Sequence, residues 1–124
     1  MSGSGESAPE ATILVVDDER VVREMLSMLL TRFNYQALIA ADGMEAIELY
    51  RAHAERIDLV LLDLSMPGMS GLELLAALRV LDPSIRVAVL TGFTEDHPEL
   101  KGIELIYKPF RVNELIELIK RLLR

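Results

Sequence analysis

The sequence contains no cysteine and no tryptophan, only three tyrosines and three phenylalanines, and a deficit of positive charge. Without cysteine there are no disulfides and no thiolate chemistry, a composition that suits a reducing compartment and predicts a cytoplasmic protein. Thirteen Lys and Arg against twenty Asp and Glu give a formal charge of −7, which argues against a nucleic-acid-binding module because a phosphate backbone needs cations to neutralise it. No apolar run approaches the roughly 20 residues of a membrane span. The first ten residues carry neither a basic start nor an apolar stretch, so no secretory signal is predicted and no membrane partner either. Residues 1–10 are rich in Ser, Gly, Glu and Pro and predict a flexible tail or linker. The remaining 11–124 are long enough for one domain with its own core.

Within 11–124 the pattern alternates between short apolar runs and helical stripes. Ile13–Val16 and Leu59–Leu62 are unbroken apolar runs of the kind covered on both faces of a sheet, as are Val87–Leu90 and Ile103–Tyr107. Tyr35–Ala40 is a further strand candidate. Val22, Met25, Leu26, Leu29, Leu30 and Phe33 recur at helical spacing and predict one buried stripe, and the six methionines fit core and loop packing. Asp42 with Glu45 and Ser70 with Glu73 have the spacing of capping boxes, opening helices to about His53 and Leu81. Asp82 and Pro83 stop the second of these. Val112, Leu115, Ile116, Ile119, Leu122 and Leu123 line a last helix. Between Gly92 and Gly102, His97, Pro98 and the two glycines leave room for about two helical turns, so a short or irregular fourth helix is expected there. Alternating strands and helices with short connections predict a doubly wound parallel α/β fold.

In such a sheet all strand C-termini lie on one edge. Asp17 and Asp18, Asp63, Thr91 and Lys108 with Pro109 each follow an apolar strand run, so their side chains should meet in one crevice. Clustered carboxylates repel, and a hard dication removes the conflict; oxygen-only ligands suit Mg²⁺. Asp63 is then the candidate nucleophile, since a carboxylate can take a phosphoryl group as an acyl phosphate. Lys108 offers a fixed cation to a phosphoryl oxygen, and Thr91 a hydroxyl. The blander alternative reads Asp17–Glu19 as a helix N-terminus favoured by the macrodipole; the remote Asp63 and Lys108 outweigh it. His53 and His97 have no partner at ligand spacing. Arg111, Lys120, Arg121 and Arg124 are too few for a nucleic-acid surface and suit a helix C-terminus.

Taken together, Val15–Glu19, the Asp63–Gly71 loop, Leu90–Gly92 and Tyr107–Phe110 resemble the receiver domain of two-component response regulators. The resemblance runs from about Ala11 to the C-terminus and implies a chemotaxis-regulator-like, flavodoxin-like fold, a five-stranded parallel sheet in the order 2-1-3-4-5. It implies that Asp63 accepts phosphate from a histidine kinase or histidine phosphotransfer protein, making a phosphoprotein. It implies Mg²⁺ held by Asp18, Asp63 and the backbone carbonyl of Ser65, with Asp17 acting mainly through water. Lys108 would contact the phosphoryl group and Thr91 would move toward it, switching a surface that docks a downstream effector protein or domain. Such a domain is no conventional enzyme, although it catalyses its own phosphorylation and dephosphorylation. It is compatible with a free-standing regulator and with a piece of a longer regulator or hybrid kinase. A small Mg²⁺-dependent phosphatase is the competing enzyme reading, but a haloacid-dehalogenase-like hydrolase would carry its acid two residues after the nucleophile, where this chain has Ser65. An inactive interaction domain is the third reading, and the intact acidic cluster argues against it. The chain departs from the family's pattern twice: Leu105 stands where the switch aromatic is usual, three residues before the lysine, and the interval from Thr91 to Lys108 is short by about five residues. The shortening falls on the fourth helix and predicts an altered output face with retained phosphorylation chemistry.

Overall fold

A computed structural model describes residues 8–64, 66, 68–92 and 100–124. Five strands, β1 (Thr12–Val16), β2 (Gln36–Ala40), β3 (Ile57–Asp63), β4 (Val87–Thr91) and β5 (Glu104–Tyr107), form one sheet. All pairings are parallel and the order is β2-β1-β3-β4-β5, as the resemblance implies. The helices are α1 (Arg20–Arg32), α2 (Gly43–His53), α3 (Gly71–Leu81) and α4 (Val112–Leu122). The fourth helix expected between Gly92 and Gly102 falls largely on 93–99, and most of the predicted tail on 1–7, outside the described residues.

Because strand side chains alternate in direction, the apolar runs supply two cores at once. Ile13, Val15, Leu59, Leu61, Leu90 and Ile106 pack on one face with Leu26 and Leu30 of α1 and Leu115 and Ile119 of α4. Leu14, Val16, Val60, Leu62 and Val89 pack on the other with Tyr50 of α2 and Leu74 and Leu78 of α3. Ser70 and Glu73 form a complete capping box. At α2 the Asp42 side chain accepts from the Glu45 amide, but Glu45 reaches past Asp42 to accept from the amide of Ala41.

The helical stripe of α1 is narrower than the sequence predicts. Leu26 and Leu30 are fully buried and Val22, Leu29 and Phe33 partly so, whereas Met25 and Met28 are exposed, as is Met44 on α2. A helix lying on a sheet buries one stripe, and methionines at its shoulders face outward. These three methionines therefore depart from the core and loop packing expected of them.

Candidate functional site

The strand C-termini converge as predicted. Asp17 follows β1, Asp63 ends β3, Thr91 ends β4 and Lys108 follows β5. Asp17, Asp63 and Thr91 are buried although polar, and Asp18 is exposed at the rim. One carboxylate oxygen from each of Asp17, Asp18 and Asp63 lies within 4.8 Å of the others. Lys108 stands beside them, its Nζ 3.2 Å from Asp17 Oδ2 and 3.6 Å from Asp63 Oδ1. The Lys108–Pro109 peptide is cis. The Lys108 amide donates to the Thr91 carbonyl at 2.8 Å, which ties the lysine to the end of β4.

Asp17 is held at several points. Its amide donates to the Ala40 carbonyl at 3.2 Å, and its Oδ1 accepts from the Glu19 amide at 2.9 Å. Its Oδ2 accepts from Lys108, and its carbonyl accepts from Arg23 Nη1 at 2.9 Å. Burial, the largest single influence on Lys108, pulls its pKa down. The carboxylates of Asp63 and Asp17, the hydrogen bond to Asp17 and the charge of Glu19 together outweigh it and hold the ammonium above the ordinary lysine value. Lys108 is therefore a permanent cation at neutral pH.

The donor set suits a hard dication. Three carboxylates offer only oxygen, and their formal charge of −3 exceeds the +1 of the Lys108 ammonium that pairs with two of them. The start of α3 lies tight against the end of β3: a Cβ on Gly71 would stand 2.8 Å from the Asp63 carbonyl oxygen and 2.8 Å from Leu64 Cα. Only glycine lets α3 begin there. Ser65, whose carbonyl the resemblance makes a ligand, lies outside the described residues. Arg23 was not legible as part of this site, because four residues of intervening chain and a helical start separate it from Asp18. An arginine in the second turn of a helix that begins at a strand end would have been the signal.

The model of the response regulator receiver domain matches residues 13–120. The chain belongs to the response regulator receiver family. Sporulation initiation phosphotransferase F of Bacillus subtilis is 36% identical over 116 residues, covering 90% of this chain and 92% of that protein. The response regulator TrrA of Thermotoga maritima, solved in complex with Mg²⁺ and BeF, superposes with a TM-score of 0.82 at 34% identity, over 90% of this chain and 98% of that one. TrrA solved in complex with the histidine kinase ThkA superposes with a TM-score of 0.83, over 92% of this chain and 99% of that one. The chain spans about half the length of other curated relatives that it matches, DNA-binding response regulators among them. This receiver is thus a signalling domain of two-component systems. Among the described residues, no helix is long and apolar enough to cross a membrane.

Proposed function

We propose that residues 11–124 form a receiver in which Asp63 accepts a phosphoryl group from a phosphohistidine donor, a kinase or a histidine phosphotransfer protein. A carboxylate oxygen of Asp63 attacks phosphorus as the bond to the donor imidazole nitrogen breaks; with the other ring nitrogen protonated in the phosphohistidine, the ring leaves as neutral imidazole and an acyl phosphate stands on Asp63. Attack of water on phosphorus later restores the carboxylate and releases inorganic phosphate, so the domain turns over its own modification without acting on a separate substrate. The observation that carries this reading is Lys108 Nζ lying between buried Asp17 and Asp63, with Asp18 alongside.

In this reading Asp18 and Asp63 hold Mg²⁺ directly with the Ser65 carbonyl, and Asp17, both of whose oxygens already accept hydrogen bonds, acts through water. Bound Mg²⁺ supplies neutralisation of the equatorial phosphoryl oxygens in a loose transition state. Lys108 orients one phosphoryl oxygen and Thr91 offers its hydroxyl to another. The surface beside the site supports approach of a protein donor: Val21, Met25 and Met28 are exposed on α1, and a groove of about 300 Å³ runs between Met25, Leu29, Pro109 and Phe110 with Lys108 in its wall. A downstream effector reads the phosphorylated state, and the reading carries with it a cytoplasmic location.

Labelling with a kinase or with acetyl phosphate in Mg²⁺ tests the assignment. Wild type should take up acid-stable, base-labile label and Asp63→Asn none. Equal labelling of both would remove Asp63 from its role.

A further inference from the structure

We infer that Arg23 is a positioning residue for the metal site: its guanidinium clamps the Asp17–Asp18 peptide and so fixes where the Asp18 carboxylate stands. The inference rests on the proposal that these acids hold Mg²⁺. Arg23 Nη1 donates to the Asp17 carbonyl at 2.9 Å, a charge-assisted bond in a half-buried setting. Because a peptide is planar, holding that carbonyl also fixes the Asp18 amide and Cα, the pivot from which its side chain departs. The contrast between the two acids makes this matter. The Asp17 carboxylate is held by Lys108 and by the Glu19 amide. Among the described residues, no hydrogen bond or ion pair holds the Asp18 carboxylate, which stands exposed within 4.8 Å of its partners. Its placement is therefore left to the backbone, and Arg23 is the side chain that grips that backbone. Groups that orient metal ligands without touching the metal typically change affinity 10- to 100-fold when removed.

The sign of the effect separates this role from a purely electrostatic one. A cation close to three carboxylates repels a dication, so deleting its charge alone would tighten Mg²⁺ binding. Losing the clamp loosens it. Arg20 provides the control: it lies on the same helix, three residues away, is largely exposed, and pairs with Glu24 at 2.8 Å rather than with the acidic cluster.

The test is a MgCl2 titration of the unphosphorylated protein, followed by amide chemical shifts of Asp17–Glu19 and Asp63, on wild type and on the variants Arg23→Gln, Arg23→Lys and Arg20→Gln. Arg23→Gln should weaken Mg²⁺ binding about tenfold; Arg23→Lys should recover part of that loss through a single donated bond, and Arg20→Gln should bind as wild type or slightly tighter. In phosphorylation from acetyl phosphate, Arg23→Gln should raise the half-saturating Mg²⁺ while approaching the wild-type rate at saturation. Unchanged or tighter binding in Arg23→Gln, or equal weakening in Arg20→Gln, would overturn the clamp. Should Arg23→Gln not fold, Arg23→Lys decides alone: weaker binding with a native amide spectrum supports the clamp and unchanged binding overturns it. A wild type that binds no Mg²⁺ would instead strike down the reading of the site itself.

Discussion

Replacing Asp63 with asparagine should stabilise the metal-free protein while it abolishes phosphorylation. Asp63 faces two carboxylates whose oxygens lie within 4.8 Å and one ammonium at 3.6 Å. At an effective dielectric of about 20, each repulsion is worth about 3.5 kcal/mol and the attraction about 4.6 kcal/mol. Asp18 is exposed, so its share is reduced by solvent screening. Relief of about 1 kcal/mol remains for Asp63→Asn, which raises the melting temperature by a few degrees for a domain of this size. The sequence has no tryptophan, so urea unfolding is best followed by far-UV circular dichroism, once in chelator and once in millimolar Mg²⁺. In chelator the variant's midpoint should exceed the wild type's at an unchanged slope. In Mg²⁺ the gap should close or reverse, because the wild type gains more binding free energy from the cation. A variant less stable than wild type in chelator, or a gap indifferent to Mg²⁺, would show that the acids are already neutralised by neighbours and that no cation is called for.

Two further changes probe the frame of the site. Gly71→Ala places a methyl against the backbone of Asp63 and Leu64, so it should cost about 1–3 kcal/mol in urea unfolding and weaken Mg²⁺ binding by displacing the loop; a wild-type midpoint would refute the close approach. For Lys108, the folded pKa is raised, so its contribution is complete below the unfolded lysine value of about 10.4 and fades as pH rises through the higher folded value. Stability of wild type minus Lys108→Met, measured in chelator, should thus be constant near neutrality and shrink above that pH; a difference that stays flat through pH 11 would mean the ammonium gains nothing from Asp17 and Asp63.

The sheet and its order were legible because each strand is a compact apolar run closed by a polar residue, and the parallel topology brings such ends to one edge. The same logic places Asp17, Asp63, Thr91 and Lys108 at that edge from the sequence pattern alone. What stayed hidden depends on orientation within a helix. The periodicity of α1 marks Met25 as apolar and leaves open whether it faces the sheet or the shoulder, and it stands outside. Arg23 was equally opaque, since a surface helix is expected to carry arginines and only the direction of its guanidinium separates this one from Arg20.

Leu105 gives the departure from the family pattern a physical form. β5 pairs with β4 in unbroken register, Val89 with Leu105, Leu90 with Ile106 and Thr91 with Tyr107. Leu105 packs with the core on the α2–α3 face and Ile106 is buried on the other, so alternation returns Tyr107 to the side of Leu105. The aromatic ring of β5 therefore stands level with Thr91 and is 44% exposed, one residue before Lys108. At the usual aromatic position this chain keeps an aliphatic side chain packed against its core, two residues of strand further from the site. A movement of Thr91 toward Asp63 would disturb Tyr107 before it reached Leu105, because the first is its register neighbour and the second is not.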